Sequence, residues 1–178
     1  NFFYGQYLSE KLRQCIKLKN GAKVFLHRVK KPEKYGVAKV KNKKITSIKE
    51  KPKNYISDLA ITGLYFFDKN VVRFSKELKP SKRGELEITD LLNKYRNKNK
   101  LSADYIGRGG AWLDTGSISD YYKTSNFVSA IENRQGFKIA CIEEIALLNK
   151  WITKKNVNQA IKFYGNCEYS NYLKQLLN

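Results

Sequence analysis

The chain has 178 residues, of which 42% are hydrophobic and 13% aromatic, so it can bury a core, and disorder is excluded. Its 35 basic and 16 acidic residues leave a net charge of +19, which suits nucleic acid, an anionic membrane or small phosphorylated ligands. The even spread of the lysines argues against the first two, and a genome-wide compositional habit is an equally good explanation. No apolar run reaches the roughly 18 residues of a membrane span.

The cysteines bear on the redox compartment. Cys15, Cys141 and Cys167 are widely separated and form no CxxC pair. They predict free thiols in a reducing cytoplasm, and not a disulfide framework or a zinc site.

Helical and strand patterns alternate along the chain. Apolar spacing and breakers predict helices at 6–19, 70–78, 86–96, from Ser117 to about Arg134, and in three short pieces after Glu143. Apolar runs and a hairpin pattern predict strands at 24–26, 35–40, 45–49, 59–67, 101–106 and 111–113. This order predicts an α/β fold with a small carboxyl-terminal helical appendage. Gly63 interrupts one strand, which suggests a close approach of backbone or ligand there.

Several common active-site patterns have little support. The one histidine, His27, follows an apolar run and is expected to be structural. No GxSxG, Walker-type or strand-bound GxGxxG motif occurs. The glycine-rich segment at 107–110 could approach a phosphate through its N–H groups, although a turn is its commoner role.

Two clusters at predicted strand ends carry more specific chemistry. The Glu50 carboxylate can accept hydrogen bonds from sugar hydroxyls, and the Lys51 ammonium can pair with a phosphate; an exposed ion pair of little value is the alternative. Asp114 follows a strand and precedes a turn into a helix, where open α/β sheets bind ligands. A carboxylate there suits Mg²⁺ and a bound phosphate, and Trp112 offers a flat wall for a sugar or base.

Eight motifs extend this pattern along the chain. They are Phe3-Tyr4-Gly5, Tyr35-Gly36-Val37, Glu50-Lys51-Pro52, Thr62-Gly63-Leu64-Tyr65, RGELEITD at 83–90, Gly107-Arg108-Gly109, Trp112-Leu113-Asp114-Thr115-Gly116 and Glu132-Asn133-Arg134-Gln135-Gly136. In order and spacing they resemble the sugar-nucleotidyltransferases, most closely the branch that uses glucose 1-phosphate and a thymidine nucleotide. The resemblance implies a Rossmann-like nucleotidyltransferase sheet, with 1–136 as the sugar-binding, carboxyl-terminal part of the catalytic domain and 137–178 as a helical tail.

The resemblance also implies a reaction and its residues. A nucleoside triphosphate and a sugar 1-phosphate would form a nucleotide sugar and pyrophosphate, here dTDP-glucose for dTDP-rhamnose synthesis, in a cytoplasmic homotetramer that binds neither nucleic acid nor membrane. Mg²⁺ is the implied cofactor, bound by Asp114, and Asp114 and Lys51 are the implied catalytic residues. The implied sugar-phosphate ligands and pocket walls are Asn1, Tyr35, Gly36, Glu50, Lys51, Ile61, Gly63, Tyr65 and Trp112. A regulatory nucleotide site is implied at Tyr4, Gly5, Gly107, Arg108 and Glu144.

Departures from the family concern mainly the nucleotide side. Its glycine-rich amino-terminal loop, its nucleotide-clamping lysine and its first metal-binding aspartate have no match, so we expect a carboxyl-terminal portion that lacks most of the triphosphate site. The absence of methionine and the exposed-looking aromatics Phe2 and Phe3 agree with a fragment. Gln6, Gly110 and Ile142 also differ from the usual residues. An inactive natural fragment, a non-catalytic oligomerisation partner and a basic nucleic-acid-binding module are the alternatives.

Overall fold

The computed structural model describes residues 1–178, which divide into two compact units, Asn1–Gly116 and Ser117–Asn178. All strands lie in the first unit, and the second is helical. The boundary between the two compact units therefore lies between Gly116 and Ser117, before the long helix. The domain boundary at residue 136, which the resemblance implies, stays a prediction. No helix combines the length and the apolar character needed to cross a membrane.

The elements follow the predicted order. The strands are β1 (Phe2–Tyr4), β2 (Ala22–Arg28), β3 (Gly36–Lys41), β4 (Lys44–Glu50), β5 (Leu59–Phe67), β6 (Leu101–Tyr105) and β7 (Ala111–Leu113). The helices are α1 (Leu8–Ile16), α2 (Val71–Lys76), α3 (Ile88–Asn97), α4 (Ile118–Gln135), α5 (Ile142–Leu148), α6 (Lys154–Tyr164) and α7 (Glu168–Gln175), with a 3₁₀ helix at Pro32–Lys34. Every predicted helix and strand is confirmed. Strand β1 and the 3₁₀ helix were not predicted, because neither has a pattern of its own in the local sequence.

The main sheet confirms the α/β class. Its five strands lie in the order β4-β3-β5-β2-β6, in which β2 and β6 are parallel and the other neighbours antiparallel. Helix α3 covers one face, where Leu92 packs among Val24, Leu26 and Ile48, all buried. Strands β3, β4 and β5, which border the candidate site, all contribute residues to this apolar core.

A two-stranded ribbon lies outside the main sheet. Strand β1 pairs antiparallel with β7, so that Phe2 lies opposite Leu113 and Phe3 opposite Trp112. Both phenylalanines are half-buried, and the expectation that they are exposed was wrong. The two side chains are half-buried because β1 pairs with β7, more than a hundred residues away. The local sequence does not show this pairing.

The second unit has its own small core. Cys141, Val157, Tyr172 and Leu173 are buried together. Helix α4 ends at Gly136, which has a left-handed φ of 73° that suits glycine. The three cysteines are unbridged, and only Cys167 is exposed.

A buried carboxylate ties together the core of the first unit. Asp68 accepts hydrogen bonds from the Gly21 N–H at 2.8 Å, from Asn70, and from the Tyr95 hydroxyl at 2.8 Å. Burial by itself raises the pKa of Asp68, but these hydrogen bonds outweigh burial and lower the pKa to about 2. The charged form of Asp68 therefore joins the start of β2, the end of β5 and helix α3.

We expect Asp68→Asn to destabilise the protein at neutral pH by about 1.5–3 kcal/mol, because hydrogen bonds to a charged acceptor are lost. Since the folded-state pKa lies below the unfolded value of about 3.9, the stabilisation is present above pH ~4 and is lost as pH falls towards 2. Denaturant unfolding of both proteins at several pH values measures this. Asp58→Asn, in the exposed pair with Arg28, is the control; a difference that does not shrink in acid would contradict the assignment.

Candidate functional site

The site begins with an irregularity in β5. Val24 pairs with Tyr65 but Leu26 pairs with Ile61, so residues 62–64 of β5 lie opposite Phe25 alone. The Thr62 hydroxyl donates to the Phe25 carbonyl at 3.0 Å and is fully buried. Such bulges re-aim side chains and are common beside functional sites.

Gly63 lies in this bulge and allows a close contact. A Cβ added there would lie 2.7 Å from the Asn1 Cγ, so any larger residue would displace the Asn1 side chain. The Asn1 Oδ1 accepts a hydrogen bond from the Trp112 indole N–H at 2.8 Å. The sequence suggested a close approach of backbone or ligand at Gly63; the structure places the side chain of Asn1 there.

Trp112, on β7, forms a flat apolar wall against the rings of His27 and Tyr35. Its side chain is buried, and its ring lies 5.1 Å from the ring of Tyr35 and edge-on to His27 at 6.2 Å. His27 therefore packs against this wall, and its structural role stays a prediction.

An open pocket of about 190 Å³ lies beside this wall. Of the predicted sugar-phosphate and metal residues, all but Lys51 line it. They are Asn1, Tyr35, Gly36, Glu50, Ile61, Gly63, Tyr65, Trp112 and Asp114. The structure thus brings Glu50 and Asp114, 64 positions apart in sequence, to one small pocket; their roles stay predictions.

Lys51 is placed differently. It is exposed, with a left-handed φ of 39°, and its backbone N–H donates to the Tyr35 carbonyl at 3.0 Å. Its side chain is not among those that line the pocket. The predicted pairing of Lys51 with a phosphate therefore remains untested.

Glycine also brings the end of β4 close to the start of β3. A Cβ on Gly36 would lie 2.8 Å from the Glu50 Oε2 and 2.9 Å from the Cγ2 of Thr89, which is buried. The Glu50 carboxylate therefore lies against bare backbone. A larger residue at position 36 would displace this carboxylate.

The environment of Glu50 opposes its charge. Burial raises the pKa of the Glu50 carboxyl, and the charges of Glu87 and Glu85 add to the shift, while Lys51 and Arg83 lower it. Burial also raises the pKa of Tyr65, helped by the charge of Glu50. The charges of Lys51 and Arg83 therefore do not outweigh burial and the two neighbouring glutamates at Glu50. The Tyr65 phenol beside it stays protonated.

The donor set limits which metal the pocket could hold. No group of three or more His, Cys, Asp or Glu side chains comes together in the chain, so the residues do not fit a closed protein cage. Mg²⁺ commonly keeps several waters and takes its remaining ligands from one or two carboxylates and substrate phosphates. Asp114 fits an ion bound in that way.

Three residues that the sequence did not suggest for this site also line the pocket. Lys34 comes from the 3₁₀ helix, and Ile88 and Thr89 come from the first turn of α3. Thr89 belongs to the 83–90 motif, so the motif contained a signal for it. Lys34 had none except its position next to Tyr35.

The predicted regulatory residues are divided between the two units. Tyr4, Gly5 and Gly107 line a second, more apolar pocket of about 280 Å³ in the first unit, and Arg108 is not among its lining residues. Glu144 lies in the second unit, where it accepts a hydrogen bond from the Tyr172 hydroxyl at 2.6 Å. A nucleotide-binding role for these residues stays a prediction.

We expect Glu87→Gln to lower the pKa of Glu50, because it removes a nearby negative charge and an ion-pair partner of Arg83. Titration of the Glu50 carboxyl by NMR measures the shift. Glu77→Gln is the control, since Glu77 pairs with Lys94 and does not act on Glu50. An unchanged Glu50 pKa in Glu87→Gln would contradict the coupling of these two carboxylates.

Comparisons with known proteins place this geometry in a family. The family model described as nucleotidyl transferase matches residues 1–131. A glucose-1-phosphate thymidylyltransferase of Neisseria gonorrhoeae is 46% identical over 178 residues, which cover 99% of this chain and 62% of that protein. The chain thus spans less than two thirds of the length of this relative.

Two solved structures are similar. One, described as a glucose-1-phosphate thymidylyltransferase from Bacillus anthracis in complex with sucrose, is 39% identical, with a TM-score of 0.62 over 71% of this chain and 50% of the other. The other, a UDP-glucose pyrophosphorylase complexed with UDP-glucose, is 27% identical, with a TM-score of 0.55 over 67% of this chain and 47% of the other. The mixed sheet with its flanking helices is therefore the predicted nucleotidyltransferase fold. By the match over residues 1–131, the chain belongs to the nucleotidyl transferase family.

Proposed function

We propose that the pocket beside Trp112 binds glucose 1-phosphate, and that the chain provides the sugar-phosphate side of a glucose-1-phosphate thymidylyltransferase. The reaction would convert dTTP and glucose 1-phosphate into dTDP-glucose and pyrophosphate. The convergence of Glu50, Asp114 and Trp112 on one small pocket carries this proposal. The names of the relatives support the choice of substrate. The thymidine base, the place in dTDP-rhamnose synthesis and a homotetrameric, cytoplasmic enzyme rest on the likeness to the family.

The pocket residues suit a monosaccharide. Glu50 provides a carboxylate that accepts hydrogen bonds from sugar hydroxyls, and the protonated Tyr65 can donate one. Ile61 and Trp112 give an apolar wall for the C–H groups of the ring. Gly36 and Gly63 leave room for the side chains of Glu50 and Asn1, which a Cβ at either glycine would displace.

The proposed chemistry depends on positioning. An oxygen of the sugar phosphate attacks the α-phosphorus of the triphosphate in line, a new P–O bond forms, and the bond to the β-phosphate breaks as pyrophosphate leaves. No covalent bond to the protein is needed, so binding and orientation are what the chain contributes. Mg²⁺ held by Asp114 would supply charge neutralisation on the phosphate oxygens.

We expect Glu50→Gln to weaken the binding of glucose 1-phosphate by about tenfold, because a charged acceptor for sugar hydroxyls is lost while the side-chain volume is kept. Isothermal titration calorimetry of the purified chain with glucose 1-phosphate measures the effect. Glu10→Gln on α1, away from the pocket, is the matched control. Equal affinities for Glu50→Gln and the wild type would remove the sugar-binding role of Glu50.

Mg²⁺ should tighten the binding of glucose 1-phosphate to the wild type, since the ion can join the Asp114 carboxylate to the phosphate. We expect Asp114→Asn to lose this gain without weakening the binding measured in EDTA. The same titrations with and without Mg²⁺ test this, with Asp58→Asn as control. A full magnesium effect in Asp114→Asn would show that the ion binds elsewhere.

A further inference from the structure

The sequence contains one Asn-Gly pair, Asn20-Gly21, in the connection between α1 and β2. Asparagine followed by glycine is the pair most prone to spontaneous deamidation, because glycine has no Cβ to hinder its nitrogen from reaching the asparagine amide. The side chain of Asn20 is exposed to water. Local chemistry alone therefore predicts a modification site at this asparagine.

Deamidation of such a pair is an intramolecular substitution. The Gly21 N–H loses its proton to hydroxide, its nitrogen attacks the Asn20 Cγ, and the bond from Cγ to Nδ2 breaks as ammonia leaves with a proton from water. The product is a five-membered succinimide ring. Water then opens one of the two C–N bonds of the ring carbonyls, which leaves aspartate or isoaspartate at position 20. Water is the only co-reactant.

The structure holds the attacking nitrogen in place. Gly21 is buried, its N–H donates to the Asp68 Oδ2 at 2.8 Å, and its carbonyl accepts the Asp68 N–H at 2.9 Å. The next residue is fixed as well, since the Ala22 N–H donates to the Lys100 carbonyl at 2.7 Å. Gly21 has a left-handed φ of 87°, and a Cβ there would overlap the Lys100 carbonyl. Both backbone polar groups of Gly21 are thus occupied, in a space that fits glycine alone.

Asp68 opposes the reaction in two ways. Its hydrogen bond has to break before the Gly21 nitrogen can turn towards the Asn20 Cγ. Its negative charge also disfavours loss of the Gly21 proton, because a second negative charge would form beside the carboxylate. The carboxylate does not act as the base, since its hydrogen bonds lower the pKa of Asp68 to about 2, and so weak a base does not remove an amide proton.

We propose that Asn20 is a latent deamidation site, which the folded chain keeps unreactive through the hydrogen bond from Gly21 to Asp68. Reaction then requires the start of β2 to open. An isoaspartate product prevents the native arrangement from forming again, because its extra main-chain methylene displaces Gly21 from a space without room for a Cβ. Deamidation therefore permanently marks molecules in which this strand has opened.

The test is the rate of deamidation at Asn20 in folded wild type, Asp68→Ala and Tyr95→Phe, and in wild type unfolded in urea. Trypsin cleaves after Lys19 and Lys23, so Asn20 is the only amide side chain in its peptide, and mass spectrometry follows its conversion to the acid. We expect unfolded wild type to react at least about tenfold faster than folded wild type. In the folded state we expect Asp68→Ala to react about tenfold faster, because a charged acceptor is lost.

Two controls separate the hydrogen bond from stability. Tyr95→Phe removes another donor to Asp68 but keeps the acceptor of the Gly21 N–H, so its rate should stay close to that of the wild type. Ile48→Ala removes core packing on β4 and leaves the Gly21–Asp68 bond in place. Denaturant unfolding measures how far each variant is destabilised. If Ile48→Ala at comparable stability reacts as fast as Asp68→Ala, global unfolding controls the rate and the role of Asp68 is wrong.

Two further results would overturn the inference. One is a folded wild type that reacts as fast as the chain in urea, since the fold would then give no protection. The other needs no variant, and so does not depend on the folding of Asp68→Ala. Hydrogen exchange of the Gly21 N–H in the wild type should be strongly slowed by its buried hydrogen bond, and exchange at the rate of a free amide would show that this N–H is not held.

Discussion

The contact between Asn1 and the bare backbone of Gly63 is the constraint on which the candidate pocket depends. It joins the β1–β7 ribbon to the bulge in β5, and the indole of Trp112 fixes the Asn1 amide from the other side. A side chain at position 63 would occupy the space of that amide. The ribbon carries Trp112 and leads directly to Asp114, so this contact also sets where the wall and one carboxylate of the pocket lie.

The electrostatics of the pocket differ from those of the chain as a whole. The net charge of +19 is spread over the sequence, but the pocket has two carboxylates and a single lysine on its lining. Burial and the charges of neighbouring glutamates further oppose the ionisation of Glu50. The excess of lysine along the chain therefore does not explain why an anionic ligand would bind in this pocket.

Some features were predictable because they are local. The apolar runs of β2 and β5 and the helical spacing of α1 and α3 each repeat within a single element, and all are present. Strand β1 is three residues long and is stabilised by its distant partner β7, so it has no local pattern. The sequence suggested Lys51 and its neighbour Glu50 for the same site. In the structure Lys51 has a left-handed backbone just after the end of β4, and of the two only Glu50 lines the pocket.

The sequence by itself determined the order of strands and helices, the family motifs and the kinds of chemistry that Glu50 and Asp114 can offer, because these depend on residue type and short-range spacing. Only the tertiary structure decided that these two carboxylates share one pocket and that Gly63 packs against Asn1. The physical reason is that these relations arise from strand pairing across 111 positions and from an irregular register in β5. Neither leaves a periodic signal in the residues that take part.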